Sequence, residues 1–149
     1  MPLAFRNLAV SPADPVTRWP TEAVRAALER GDLTHWQRLA SQIARDPWGR
    51  TARQVEEVLS HSRPYGVADA MESVIAAVRA REEQGERDAV AVEVRQAVAD
   101  SGLSRAEFAS RIGTSASRLS TYASGTVAPA ATLMIRIRRL VAGRLRDTP

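Results

Sequence analysis

Residues 103–129, LSRAEFASRIGTSASRLSTYASGTVAP, decide the fold of the second half of the chain. Ser104 precedes Glu107 by three residues, a spacing that predicts a capping box at the start of a short helix. Gly113 predicts a sharp turn after that helix, because glycine adopts left-handed backbone angles without a steric penalty. Ser115 is a typical capping residue for a second helix. The stretch therefore predicts two short helices joined by a tight turn.

The apolar residues around this turn repeat at the spacing of helices that share one core. Phe108 and Ile112 face the same side of the first short helix, and Ala109 is small enough for another helix to cross closely. We expect the helices to be interrupted at Gly102, Gly125 and Pro129. The other inward positions are Val90, Val94, Ala97 and Val98 before the stretch, Leu119 and Tyr122 in the second short helix, and Leu133, Ile137 and Leu140 after it.

Six constrained positions, counted from Arg105, make this a helix-turn-helix signature. The residues are apolar at the fourth, eighth, fifteenth and eighteenth positions, small at the fifth, and glycine at the ninth. With Ser124-Gly125 and Pro129 behind it, the stretch closely resembles the phage-repressor-like family of bacterial regulators, the Xre family. The resemblance covers roughly residues 86–142. It implies a five-helix DNA-binding domain over residues 86–149 of a cytoplasmic transcriptional regulator, activator or repressor, that binds double-stranded DNA as a homodimer.

In this family the second helix of the motif, here about Ser115 to Ser124, lies in the major groove with its first residues at the base edges. The resemblance implies that Arg118 reads guanine through two hydrogen bonds. Arg105, where the family commonly carries Gln, is expected to contact phosphate. The remaining expected contacts are base contacts from Ala116, Ser117 and Thr121, an outward-facing Ser120, and phosphate hydrogen bonds from Ser115, Ser124 and Thr126. Ala116 and Ala123 depart from the family pattern, because many relatives carry longer polar side chains there.

The charge is unevenly distributed along the chain. The 149 residues have a net charge of +4, and all 21 basic residues are Arg. Residues 1–85 carry 11 Arg and 11 acidic residues, whereas residues 86–149 carry 10 Arg and 6 acidic residues. A basic segment of this kind favours a phosphate-rich partner. A solvated basic face is the alternative, and it stays open for Arg136, Arg138, Arg139, Arg144 and Arg146.

The composition excludes several chemistries. The sequence has no Lys, which excludes a Walker phosphate-binding loop, Schiff-base catalysis and protein-kinase chemistry. It also has no Cys, which excludes a thiolate nucleophile and a Cys-ligated iron–sulfur cluster. The two His, at 35 and 61, do not form a metal-binding pair, and the acidic pairs Glu56-Glu57 and Glu82-Glu83 have no His beside them. We expect no enzyme activity, no cofactor and no metal. The absence of a long apolar run predicts no contact with a membrane.

The sequence of the first half predicts a Pro-rich arm, residues 1–20, followed by about four helices. The whole chain is therefore expected to be all-α. Thr21 begins the first helix and Gly31 ends it, and Asp32 caps the second. The third is expected from about Pro47 to Ser60, burying Ala52, Val55 and Leu59. The fourth follows Gly66, with one apolar face at Val67, Ala70, Met71, Val74, Ile75 and Val78.

Gly85 is the predicted boundary between a domain of residues 1–85 and the helix-turn-helix domain, although it also fits a weak point in one long helix. Trp19, Trp36 and Trp48 all lie in the first half, where they predict a shared core or an exposed aromatic patch. This half is the candidate for homodimerisation. An alternative function follows from it, that of an antitoxin-like or interaction module in which residues 1–85 bind a partner protein.

Overall fold

The computed structural model describes residues 2–147, and its regular structure over that range is entirely helical. Met1 of the predicted arm, and Thr148 and Pro149 of the second predicted domain, lie outside it. A single 3-10 turn, Val16–Arg18, precedes seven α-helices in this range. They are α1 Thr21–Arg30, α2 Leu33–Arg45, α3 Arg50–His61, α4 Val67–Ser101, α5 Arg105–Ile112, α6 Ala116–Ala123 and α7 Ala131–Arg146.

The backbone contacts divide the chain into two compact units between Glu82 and Glu83, three residues before the predicted Gly85. Gly85 itself does not interrupt the backbone, because α4 is continuous from Val67 to Ser101. One glycine costs an α-helix only about 1 kcal/mol relative to alanine, so the helix-forming residues on either side outweigh it. The weak-point interpretation of Gly85 is therefore the right one for the local structure.

In the first unit, α1, α2, α3 and the start of α4 enclose a core centred on the fully buried Trp19. Its Nε1 donates to the carbonyl of Asp14 at 3.1 Å, and its own carbonyl accepts a hydrogen bond from Gln54 at 2.9 Å. The arm packs on this core through side chains that include Phe5, whose ring meets Trp19 edge-on at 5.1 Å. The segment before α1 thus covers its own unit.

Two expectations for the first unit are wrong in detail. Trp48 is 44% exposed rather than part of a shared tryptophan core, whereas Trp36 does pack against the core around Trp19. The third helix begins at Arg50 and not at Pro47, because Pro47 lies in a turn closed by the hydrogen bond from the Gly49 N–H to the Asp46 carbonyl. Its predicted inward residues Ala52, Val55 and Leu59 are buried as expected.

The apolar face predicted for the start of α4 is also only partly buried. Met71 and Ile75 are buried, but Ala70 is exposed, and the buried alanine is Ala68. By contrast, the cap predicted for α2 is confirmed, since the carboxylate of Asp32 accepts hydrogen bonds from the first backbone N–H groups of that helix.

Within residues 83–147 the second unit contains four helical segments, namely the end of α4 together with α5, α6 and α7, so the expected count of five helices is wrong for the described part of this unit. Phe108, Ile112, Leu119 and Ile137 are almost fully buried in its core, with Val94 of α4. Most of the inward positions predicted from the periodicity are thus confirmed there, although Val90, Val98, Tyr122 and Leu140 are only half-buried.

Candidate nucleic-acid interface

The turn between α5 and α6 follows the local signals of the sequence. Ser104 Oγ accepts from the Glu107 N–H at 3.2 Å, which is one half of the predicted capping box. Gly113 adopts φ +82°, in the left-handed region that disfavours every other residue type. Ser115 Oγ accepts from the Arg118 N–H at 3.2 Å and so caps α6. Two eight-residue helices therefore leave the turn with defined ends.

The predicted contact residues share one exposed side of α6 and its flanks. Leu119 and Ala123 are buried, which fixes the opposite side of the helix against the core. Seven of the predicted positions are exposed, and an eighth, Arg105, is exposed on the first turn of α5. Those seven are Ser115, Ala116, Ser117, Arg118, Ser120, Ser124 and Thr126, whereas Thr121 is half-buried.

The hydroxyl groups in this set differ in what they can offer. Thr121 Oγ1 donates to the Arg118 carbonyl at 2.6 Å, and Ser124 Oγ donates to the Thr121 carbonyl at 3.1 Å. Ser124 and Thr126 also share a hydrogen bond of 2.8 Å between their hydroxyls. Ser117 and Ser120 form no hydrogen bond through their side chains within residues 2–147. Ser117 and Ser120 therefore present uncommitted hydroxyls, whereas the hydroxyls of Thr121, Ser124 and Thr126 are used at the end of the helix and just beyond it.

Arg105 and Arg118 are the two predicted cations, and both side chains reach solvent without an ion-pair partner in the described part of the chain. An unpaired surface guanidinium keeps all of its five N–H donors for a ligand. Arg111, on the last turn of α5, is exposed and unpaired in the same sense, although it is not among the contact residues predicted from the sequence. The sequence could have predicted this residue as a contact, because it lies at an outward position of the predicted motif.

Several other arginines of this unit are committed to the protein. Arg138 forms an ion pair with Glu93 of α4 at 2.8 Å, and the hydrogen bond from the guanidinium lowers the pKa of that carboxyl below its ordinary value. Arg136 donates to the Ile112 carbonyl at 3.3 Å, and Arg144 to the Ser101 carbonyl at 2.6 Å. Arg136 and Arg138 remain exposed residues of α7, in line with the solvated-face alternative, and each also binds another helix, as the half-buried Arg144 does. Arg139 is exposed.

An apolar groove runs along the first unit between α2 and the start of α4, with a volume of about 420 Å³. No charged residue lines it. Leu33 is 63% exposed and Tyr65 completely exposed at its edge, beside Trp36 and Met71. Such a surface is the part of the first unit most suited to a protein contact.

Residues 2–147 contain neither a candidate metal site nor a helix that could cross a membrane. No group of three His, Asp or Glu side chains there has a geometry that could hold a metal ion. No helix in that range combines the length and the apolar character that a bilayer crossing requires.

In comparisons with known proteins, the chain matches no family model, no curated protein and no solved structure. The geometry of the site and the sequence motif thus carry the functional argument.

Proposed function

We propose that the protein is a sequence-specific DNA-binding transcriptional regulator of the Xre type, in which α5 and α6 act as a helix-turn-helix. The observation that carries the proposal is the exposed, unpaired guanidinium of Arg118 on the first turn of a helix whose other side is buried through Leu119. A helix fixed in this way can present its N-terminal residues to the base edges in the major groove.

In this proposal the first residues of α6 make the contacts to the bases. Arg118 donates two hydrogen bonds to O6 and N7 of a guanine, and Ser117 and Ala116 make shorter, more permissive contacts beside it. Ser115 caps the helix through its oxygen and keeps its hydroxyl proton for a phosphate. The internal hydrogen bonds of Thr121 make it a weaker base contact than Ser117.

The phosphate contacts of the proposal come from the neighbouring helix. Arg105 neutralises the DNA backbone from the first turn of α5, and Arg111 is a second unpaired cation on the same helix. From Gly102 to Arg146 the sequence has eight Arg and one acidic residue, Glu107, so the local charge favours a polyanion. Such a regulator would work in the cytoplasm by occupying an operator rather than by catalysis.

We further propose that two copies bind together, because helix-turn-helix regulators of the type this chain resembles bind two half-sites as two-fold dimers. The uncharged groove beside Leu33 and Tyr65 supports a contact through the first unit. Light scattering on the purified protein, with and without DNA, tests this part. A monomer at tens of micromolar under both conditions would remove it.

Selection of bound duplexes from random DNA tests the main proposal. Enrichment of a motif with a fixed guanine, followed by retarded migration of that duplex, is the expected result. Recovery of no motif, together with copurification of one stable partner protein, would instead favour the antitoxin-like alternative.

A further inference from the structure

Three arginines of the second unit each donate to the last carbonyl of a different helix. Arg144 binds the carbonyl of Ser101 at the end of α4, and Arg136 binds that of Ile112 at the end of α5. Arg95, on α4, donates to the carbonyl of Ala123 at the end of α6 at 2.5 Å. A cation at the C-terminus of a helix opposes the negative end of its macrodipole, so all three contacts stabilise the helix they cap.

The contact to α6 completes the hydrogen bonding of the carbonyls at the end of that helix. The last four carbonyls of an α-helix have no partner within the helix itself. In α6 the carbonyl of Ser120 accepts from the Ser124 N–H, that of Thr121 from the Thr126 N–H, and that of Tyr122 from the Gly125 N–H. Within residues 2–147 the carbonyl of Ala123 accepts from the Arg95 side chain alone.

A helix of eight residues depends on such contacts for its position. Isolated helices of this length are not stable in water, because nucleation costs more than so few hydrogen bonds return. α6 is held by its buried Leu119 and Ala123, by Ser115 at its beginning and by Arg95 at its end. Removing the last of these frees the end of the helix that lies opposite the Arg118 turn.

We infer that Arg95 is a positioning residue for the DNA-facing helix: it sets the orientation of α6 through the Ala123 carbonyl and does not itself touch DNA. The effect of Arg95 on DNA binding rests on the proposed function, whereas its effect on the orientation of α6 rests on the geometry alone. Sequence discrimination depends on orientation more than nonspecific affinity does, because base contacts require closer geometry than phosphate contacts.

The test uses the full chain with Arg95→Ala, Arg95→Lys and the charge-matched control Arg53→Ala, an exposed arginine of α3 with no partner in residues 2–147. Affinity is measured for the selected duplex and for random DNA over a range of salt concentrations. Arg95→Ala is expected to weaken binding to the selected duplex about tenfold, and binding to random DNA about twofold or less. The slope of log K against log salt should stay that of the control, and Arg95→Lys should recover part of the loss, since it keeps the cation but not the planar fork.

A slope shallower by about 0.9, with equal losses on both duplexes, would show that Arg95 contacts phosphate and would overturn the inference. An unchanged affinity for both duplexes in folded Arg95→Ala would overturn it as well. If Arg95→Ala does not fold, the same comparison is made with Arg95→Lys.

Amide hydrogen exchange separates this inference from the proposed function, because it needs no DNA. Exchange in the last turn of α6 should be faster in Arg95→Ala than in Arg53→Ala by about fivefold or more, while the amides of α5 remain protected to the same extent. If the wild-type protein binds no duplex but α6 exchanges faster in this way, the proposed function fails and the structural clamp stands. Equal exchange in the two variants would contradict the clamp.

Discussion

Thr121 Oγ1 donates a 2.6 Å hydrogen bond to the carbonyl oxygen of Arg118, one turn earlier on α6. The side chain that the sequence predicts beside Arg118 on the proposed DNA surface is half-buried, and its hydroxyl is directed at its own helix. Ser117, by contrast, is exposed, and its hydroxyl makes no hydrogen bond within residues 2–147. The two residues, alike in the sequence pattern, differ in what they can give to a ligand.

This difference makes a prediction about base contacts. Thr121→Val keeps the shape of the side chain and removes its hydroxyl, so the affinity for the selected duplex should change by less than about twofold. Ser117→Ala should lose more, because it removes an uncommitted hydrogen-bonding group worth about 0.5–1.5 kcal/mol. Titration of labelled duplex with each variant measures both. A larger loss from Thr121→Val would mean that its hydroxyl turns toward the base on binding.

Two glycine substitutions should have opposite effects on stability. Gly113→Ala forces a Cβ onto a backbone with φ +82° and brings it 3.3 Å from an Arg136 nitrogen, so it should destabilise the fold by about 1–2 kcal/mol. Gly85→Ala lies inside α4 with no atom within 4 Å of the new methyl, and it should stabilise the protein by about 0.5–1 kcal/mol. Thermal unfolding compares them, and a loss from Gly85→Ala would contradict a continuous α4.

Acid should destabilise the fold through three carboxylates. The hydroxyl of Ser62 and then Arg25 lower the pKa of Glu29, Arg63 lowers that of Glu72, and Arg138 lowers that of Glu93. The unfolded chain therefore takes up these protons at a higher pH than the folded protein does. The stability they contribute is present above the ordinary pKa of about 4.5 and is lost as the pH falls through the lower folded values.

Thermal melting between pH 6 and pH 3 checks this dependence. Glu72→Gln should make the melting temperature fall less steeply with acidification than it does in the wild type. Glu57→Gln, which removes an exposed carboxylate with no ion pair in residues 2–147, is the control. The same slope in both variants would show that the Arg63 contact does not hold in solution.

The helices of the second unit could be predicted from the sequence because their signals are local. Ser115 and Gly113 fix the ends of α5 and α6 within a few residues, and Phe108 and Ile112 repeat at helical spacing within α5, so each signal lies next to the structure it predicts. The start of α3 was missed because Asp46-Pro47 also fits a turn, and only the hydrogen bond from Gly49 distinguishes the two.

The positions of the predicted contact residues followed from the same periodicity, but their hydrogen bonds did not. Arg95 and Ala123 are 28 residues apart in the chain, and no spacing rule relates an arginine of one helix to the terminal carbonyl of another. The ion pair of Arg138 is equally hidden from the sequence pattern, because its partner Glu93 lies 45 residues earlier. Which cations are free for DNA is therefore a property of the packing rather than of the pattern.

The two units should also separate functionally. A fragment beginning at Glu83 carries all of the proposed contact residues and should keep most of the nonspecific DNA affinity, whereas residues 1–82 should keep none. Circular dichroism shows first whether each fragment is helical. DNA affinity of the N-terminal fragment equal to that of the whole chain would place the interface in the other unit.

The central claim is that Arg118 reads a base, whereas Arg105 contacts the phosphate groups of the DNA backbone. The measurement that tests it most directly is the affinity of Arg118→Ala and Arg105→Ala for the selected duplex and for random DNA over a range of salt concentrations, with thermal unfolding as the control for stability. Arg118→Ala should cost about 1–3 kcal/mol on the selected duplex, much less on random DNA, and relax the preference at one position. Arg105→Ala should weaken binding to both duplexes nearly equally and make the salt slope shallower by about 0.9. No loss from either variant, in a folded protein, would contradict the proposed DNA surface.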